Sequence, residues 1–191
     1  MAPSITNILT GPVDFYVKEY SAAGDPVTGN AVGWTGWTQL GFQTEDGVDY
    51  EYAPEFFDIK VHSYNSVVKK ILIGEALKVR FNLMECDLAQ MVHAMTGATY
   101  TAGALAGTNP NLLSLGDKAT IVEKMIGFEG IAITGAELVG FVPKVVAMGT
   151  VAVKHQKAGV RTIPFEFDAL ADTTRSAGQT LAMLWEITEA P

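Results

Sequence analysis

The strongest constraint on the fold is a strictly alternating segment that begins at Leu77. Apolar and polar residues alternate through position 83, as they do in a strand that buries one face and keeps the other in water. The apolar face holds Leu77, Val79, Phe81 and Leu83, and the polar face holds Lys78, Arg80 and Asn82. A chain built around this strand needs a hydrophobic layer on one side of a sheet and solvent on the other.

The hydrophobic period changes to about 3.6 residues soon after this strand, which indicates a helix. The apolar stripe of that helix consists of Leu88, Met91, Val92 and Met95. Asp87 stands where an N-cap or first-turn acid belongs, and Gly97 stands where a C-terminal cap belongs. We therefore predict a helix over residues 87–95. Because so short a helix is marginal alone in water, its stripe is expected to pack on the apolar face of the preceding strand.

Further strands are predicted on both sides of this unit. Alternation is clear in residues 12–20, 48–53 and 162–167 and partial in residues 119–128 and 138–153, and residues 181–187 are predicted to form the last strand. Pro54 lacks a ladder donor, so its strand is either interrupted there or lies at a sheet edge. Residues 67–73 and Gly74 form, with the strand at Leu77, either one long strand or a bulged pair. The chain is thus mainly β, with about eight to ten strands in a β-sandwich or partly open β-barrel and one short flanking α-helix.

Length and composition favour one domain. The chain has 191 residues, of which 48% are hydrophobic, and this suits one well-buried core. We predict a single domain over residues 1–191, with long loops near residues 21–36 and 98–111. The amino terminus has no basic head or apolar segment typical of a targeting peptide, and the longest apolar run is too short to span a membrane. We therefore expect a soluble protein made in the cytoplasm, without membrane contact.

The charge pattern argues against a protein that grips nucleic acid. The formal net charge is −8, whereas phosphate binding needs clustered lysine and arginine. Residues 45–58 contain six acids and no base: Glu45, Asp46, Asp49, Glu51, Glu55 and Asp58. A solvated sheet edge that resists aggregation accounts for such a run. A channel wall that repels polyanions accounts for it equally well, and both interpretations stay open.

No residue pattern predicts a catalytic, metal or cofactor site. His62, His93 and His155 lack a neighbour at metal-ligand spacing. Cys86 stands at the strand-to-helix junction, where a helix terminus can activate a thiol, but a packed, inert cysteine is the more common case. The sequence contains no glycine-rich phosphate or dinucleotide loop and no esterase elbow. We therefore expect no enzyme, no metal and no cofactor.

Two pairs of acids leave one catalytic alternative open. Asp49 and Glu51, and likewise Glu166 and Asp168, are two residues apart and share a strand face. Paired carboxylates that flank a scissile bond carry out glycoside hydrolysis. A solvated strand face is the more common reason for such pairs. The alternative function is therefore a carboxylate-dependent carbohydrate-active enzyme on a β-sandwich.

The order of three sequence segments resembles the tail tube (major tail) proteins of long-tailed bacteriophages. The segments are LGFQTEDGVDYEY, the strand EALKVRFNLME running into the helix CDLAQMVHAM, and the late strand FEFDALAD followed by LAMLWEIT. The resemblance implies a tail-tube-like subunit of hexameric rings, stacked into a tube that conducts double-stranded DNA. It also implies a structural virion protein of the tail, assembled in the host cytoplasm, without catalytic residues or a cofactor. The implied partners are further copies of the chain, a tape-measure protein, and tail-terminator and tip proteins.

The resemblance also concerns the contacts between rings. Long hairpin loops and the amino-terminal segment typically bridge successive rings in that family, which points to residues 61–67, 21–36 or 98–111 without deciding among them. A further alternative is a monomeric phage decoration or adhesion module, which would expose an aromatic patch.

Simple geometry is consistent with a ring. Strands lie about 4.8 Å apart, so a barrel wide enough for a DNA duplex needs roughly two dozen of them, or four from each of six subunits. In strand 48–53, Val48, Tyr50 and Tyr52 share the face expected to be covered. The polar strand faces give these candidate lumen residues: Asp49, Glu51, Lys78, Arg80 and Asn82. The two cations fit an acidic lumen only if acids on neighbouring strands neutralise them.

Overall fold

The structure is a computed structural model of the chain. It describes residues 9–22, 24–28, 31–41, 43–62, 66–84, 87–103, 110–116, 120–132, 137–152 and 162–187. Cys86 and His155 lie outside the described residues, as do the side chains of Glu45 and Asp46.

The described residues form twelve strands and one helix, so the prediction of a mainly β chain with one short helix is confirmed. In chain order the elements are β1 Leu9–Glu19, β2 Val27–Thr28, β3 Ala31–Val32, β4 Thr38–Leu40, β5 Gln43–Lys60, β6 Val67–Leu83, α1 Leu88–Ala94, β7 Thr99–Thr101, β8 Leu112–Ser114, β9 Lys124–Ala132, β10 Glu137–Ala147, β11 Ile163–Ala169 and β12 Met183–Ile187. The strand count exceeds the predicted number because two short ladders, β2 with β3 and β7 with β8, involve the stretches expected as loops. Ladders of two or three residues are too short to produce a visible alternation.

Eight strands form one antiparallel sheet in the order β4-β1-β9-β10-β11-β6-β5, with β12 also paired to β10. The sheet rolls up, because Phe15 of β1 stacks on Phe81 of β6 with ring centroids 4.2 Å apart, although three strands separate them in the sheet. Tyr50 of β5 and Phe128 of β9 also meet, with centroids 4.8 Å apart. No ladder joins β5 to β1 or β4 in the described part of the chain, so the barrel stays open along one seam.

Alternation along the strands determines which side chains form the core. On β6 the inward residues are all at most 7% exposed: Leu77, Val79, Phe81 and Leu83. β11 contributes Ile163, Phe165 and Phe167 in the same way. Phe165 stacks on Phe81 with centroids 5.2 Å apart, and such aromatic pairs add about 0.5–1.5 kcal/mol beyond the burial of their area. The core is therefore an aromatic cluster that ties β1, β6 and β11 together.

A second apolar layer covers the other face of β1, β9 and β10. Trp34 stacks on Tyr16 with ring centroids 4.2 Å apart, and the edge of Trp37 meets Phe141 at 5.9 Å. Gly127 of β9 makes room for Trp34, since an added Cβ would lie 2.4 Å from the indole ring. The end of the 21–36 stretch is therefore anchored on the sheet.

The long hairpin of β5 and β6 resolves two alternatives that the sequence left open. β5 continues through Pro54 without a break and lies at the sheet edge, which is where a strand tolerates proline. β6 is one continuous strand, but its register with β5 shifts between Gly74 and Leu72 and leaves Ile73 as an extra residue. The segment is thus both a long strand and a bulged one.

Hydrogen bonds at both ends determine where α1 begins and ends. The Asp87 carboxylate accepts a hydrogen bond from the Gln90 backbone N–H at 2.6 Å and caps the first turn. At the other end, the buried Lys124 ammonium donates to the carbonyl oxygens of Val92 and His93, each at 3.2 Å. A lysine at this position satisfies terminal carbonyls and complements the negative end of the helix dipole.

The apolar stripe of α1 is only partly covered. Met91 and Ala94 pack against the core, whereas Val92 and Met95 are half-buried. Leu88, which we expected to pack on the sheet, is 38% exposed. It lies in the first turn, before the part of the helix that reaches the core.

The imidazole of His93 is kept neutral by its surroundings. Burial is the main cause that lowers its pKa to about 4, and the positive charge of Lys124 adds to the effect. An unfolded histidine has a pKa near 6.5, so the unfolded chain binds this proton first as the pH falls. The stability that a neutral His93 contributes is complete above about pH 6.5 and is lost progressively as the pH falls towards 4.

We expect the free energy of unfolding to fall by roughly 2 kcal/mol between pH 7 and pH 5 on account of His93. Urea unfolding at both pH values, for the native chain and for His93→Gln, measures this contribution. The variant keeps all carboxylates, so the difference between the two proteins isolates the histidine. An equal loss of stability in both proteins would contradict the assignment.

Candidate functional site: a charged ladder on the sheet

Charged residues of β5, β6 and β11 lie side by side on the solvent face of the barrel. In the sheet register Arg80 stands between Asp49 and Glu166, and Lys78 stands between Glu51 and Asp168. We call these six residues the charged ladder. Because the alternate residues of β6 point into the core, the ladder points away from it.

Cross-strand acids hold both cations of the ladder. Arg80 Nη1 donates to Glu51 Oε2 at 2.7 Å, and Arg80 Nε donates to Glu166 Oε1 at 3.1 Å. The hydrogen bonds to Glu166 and to Glu51 raise the pKa of Arg80 above its ordinary value. Lys78 Nζ lies 3.6 Å from Asp168 Oδ1 and 4.0 Å from Glu166 Oε1. Acids on neighbouring strands therefore neutralise both cations, as an acidic lumen requires.

The ladder keeps a surplus of negative charge, since four carboxylates face two cations. Its ion-paired side chains are 33% to 56% exposed, and exposed ion pairs of this kind contribute little to stability. Their main effect is an electrostatic potential that extends into solvent over about 8 Å at physiological salt. Asn82, the remaining candidate lumen residue, is on the same strand face and pairs with Pro164.

Two members of the ladder were not among the candidate lumen residues. The sequence marked Glu166 and Asp168 as a pair of acids on one strand face, but it contained no information on which strand lies beside theirs. The strict alternation of β11 matches that of β6, and this similarity was the only available signal.

The structure corrects the expectation for the apolar face of β5. Val48 packs against the core, but Tyr50 is 41% exposed and Tyr52 is 54% exposed. The reason is that β5 lies at the open seam, where the described residues, among them Phe128 of β9, cover only part of this face. The tyrosines line an apolar cavity of about 550 Å³, which we call the seam groove; its walls include Tyr50, Tyr52, Leu77, Phe128, Leu138 and Leu184. Glu75 at its rim accepts a hydrogen bond from the Tyr52 hydroxyl.

Beyond the seam groove, β5 and β6 continue as a two-stranded projection, which we call the hairpin arm (residues 55–62 and 66–73). Its exposed large apolar residues include five that are each 43% to 58% exposed: Phe56, Phe57, Ile71, Leu72 and Ile73. Lys70 pairs with Asp58 at 3.2 Å and lies over the ring of Phe56 at 6.0 Å. Monomeric soluble proteins rarely expose so many large apolar side chains in one place.

Other candidate sites are not assembled. Among the described residues, no group of three or more His, Cys, Asp or Glu side chains is placed to hold a metal ion. His62 is exposed and His93 is half-buried. The seam groove and a second cavity of about 250 Å³ beside His93 contain none of the ladder acids. None of the described helical residues forms a segment long and apolar enough to cross a membrane.

An open β-barrel with a free edge strand and exposed apolar surface is typical of a subunit that is completed by other copies in an assembly. The chain matches the family model described as phage tail tube protein over residues 1–185. The chain therefore belongs to the phage tail tube protein family. A comparison with curated protein sequences found no match. Membership makes the chain a structural component of a phage tail, points to a non-enzymatic role and implies self-assembly into a tube.

The variant Arg80→Gln leaves four ladder acids facing a single lysine. We expect its thermal midpoint to be lower than that of the native chain in low salt and to recover in about 1 M salt, where the Debye length is about 3 Å. Thermal denaturation at both salt concentrations measures the effect. Lys70→Gln is the control, because it removes the same charge from a site beside a single acid. An equal salt dependence in the two variants would show that the ladder does not act as an electrostatic unit.

Proposed function

We propose that this chain is the subunit of hexameric rings, which stack into a tail tube that conducts double-stranded DNA into the host. In this assembly the charged ladder and Asn82 line the lumen. The observation that carries the proposal is the negative surplus of the ladder on the solvent face of adjacent strands.

The strand arrangement provides the geometric support. β10, β11, β6 and β5 are consecutive at one end of the sheet, and six copies of these four strands give the roughly two dozen that a DNA-wide channel needs. In a ring, the free edge of β5 would face a neighbouring subunit, which removes an edge that otherwise invites aggregation.

Electrostatics supports the assignment of the ladder to the lumen. A basic lumen would release counterions from DNA and retain it, whereas an acidic lumen leaves the phosphates solvated and lets the duplex slide. Arg80 and Lys78 do not alter this sign, because carboxylates flank each of them.

Among the three candidate segments for contacts between rings, we propose residues 61–67, which connect the two strands of the hairpin arm in sequence. Trp34 anchors the end of the 21–36 stretch, and the Asp25 carboxylate in the same stretch pairs with Arg175 at 2.6 Å. The short ladder of β7 with β8 involves the stretch at residues 98–111. The arm, in contrast, projects from the barrel.

The remaining partners follow from the same proposal. The tube would enclose a tape-measure protein during assembly in the host cytoplasm and would end at tail-terminator and tip proteins. We further propose that the chain forms a single domain, because the sheet and its core draw on strands from β1 to β12. DNA would pass through without specific binding.

One observation favours a second candidate function, a monomeric decoration or adhesion module. The hairpin arm exposes Phe56 and Phe57, and an exposed aromatic patch is what such a module would use. Negative-stain electron microscopy of the purified protein separates the two functions. Hollow tubes or rings support the tube subunit, while a strictly monomeric protein at high concentration supports the adhesion module and contradicts the tube.

The lumen assignment predicts a gain of DNA retention in Asp49→Lys. Tubes of this variant should retain a short DNA duplex on co-sedimentation, because the new lysines contact phosphates, and retention should fall between 50 and 200 mM salt. Asp14→Lys is the matched control, since Asp14 is also an exposed acid but lies on β1, outside the ladder. Retention of DNA by control tubes to the same extent would contradict the lumen assignment.

A further inference from the structure

The subunit contains two large apolar surfaces that the described part of its fold leaves exposed. One is the hairpin arm, and the other is the seam groove between the tyrosines of β5 and Leu184 of β12. Each is a surface that proteins bury against a partner.

The hairpin arm is apolar on both faces. Phe56 pairs with Leu72 and Phe57 pairs with Ile71, and successive pairs of a ladder point to opposite faces. The solvent face of β5 changes in character along the strand, from charged at Glu51 to apolar at Phe57. The change falls where β5 passes the bulge at Ile73 of β6. In the part of the chain that the structure describes, no further layer covers either face of this two-stranded ribbon, and its apolar side chains stay exposed.

The seam groove is not filled by the arm of the same subunit. Phe56 follows Tyr52 by four residues along a continuous strand, which places it about 13 Å further on. The arm therefore leads away from the groove that lies at its base. The described residues leave the groove open, so a side chain from another molecule can enter it.

Self-assembly and charge indicate a second copy as that molecule. The family forms tubes of identical subunits, so arms and grooves occur in equal numbers. The arm carries three lysines and two acids in a chain of net charge −8, and Glu75 stands at the rim of the groove. Apolar surface and charge thus both match between the arm of one copy and the groove of another.

We propose that the hairpin arm of one subunit inserts its Phe56 and Leu72 face into the seam groove of a neighbouring subunit. The two surfaces differ, so the contact is head-to-tail, and contacts of this kind generate rings or open stacks. The inference rests on the proposed tube and assigns one of its contacts to two defined surfaces.

Two leucines of nearly equal exposure provide the first test. Leu184 lies in the groove and is 67% exposed, while Leu115, next to β8, is 65% exposed. Leu184→Asp should raise the protein concentration needed for assembly at least about tenfold, whereas Leu115→Asp should leave it unchanged. Circular dichroism checks that both variants are folded. Normal assembly of folded Leu184→Asp, or equal loss in both variants, overturns the inference.

Cysteine cross-linking provides the second test, in a Cys86→Ser background. One protein carries Phe56→Cys and another carries Leu184→Cys, so only a contact between copies can join them. Mild oxidation of this mixture should give a cross-linked dimer. A control mixture of the Phe56→Cys protein with a Leu115→Cys protein should give no such dimer.

The outcomes also separate this inference from the proposed function. Tubes without the specific cross-link contradict the docking of the arm in the groove but still support the proposed function as a tube subunit. The specific cross-link without tubes or rings supports the docking and contradicts the tube. Absence of both contradicts both.

Discussion

The stack of Phe15 on Phe81 joins two strands that are far apart in the sheet, and the other features of the subunit depend on it. It holds the sheet in its rolled form, so that one face of β6 becomes the core and the opposite face becomes the charged ladder. Phe165 extends the stack to β11, the strand that supplies Glu166 and Asp168. The aromatic cluster inside the barrel therefore determines which acids meet which cations outside it.

The barrel is not closed by a ladder between β5 and β1 or β4 in the described part of the chain, and this opening matters as much for function as the rolling does. A fully closed barrel would cover Tyr50 and Tyr52 and pair the edge of β5. The open seam leaves these tyrosines in a groove and lets β5 and β6 continue as an arm. The subunit thus separates two kinds of surface: a charged one that faces solvent, and exposed apolar ones that we propose other copies cover.

Local features of the fold could be predicted from the sequence because they depend on neighbouring residues. The alternation from Leu77, the cap at Asp87 and the missing donor of Pro54 each act within a few positions. The neighbours of β11 could not be predicted, because strand pairing depends on the whole sheet. For the same reason the exposure of Tyr50 was not predicted: its alternation is that of a covered strand, but β5 lies at the open seam and the described residues cover this face only in part. Leu88 likewise has the right period but lies beyond the reach of the core.

The central claim is that the charged ladder faces a channel. A helical reconstruction of tubes assembled from the purified chain, by electron cryomicroscopy at side-chain resolution, tests it most directly. We predict sixfold rings in which Asp49, Glu51 and Glu166 of every subunit line the channel, with Arg80 between the two glutamates. Tubes in which these residues lie on the outer surface, or are buried between subunits, would contradict the account.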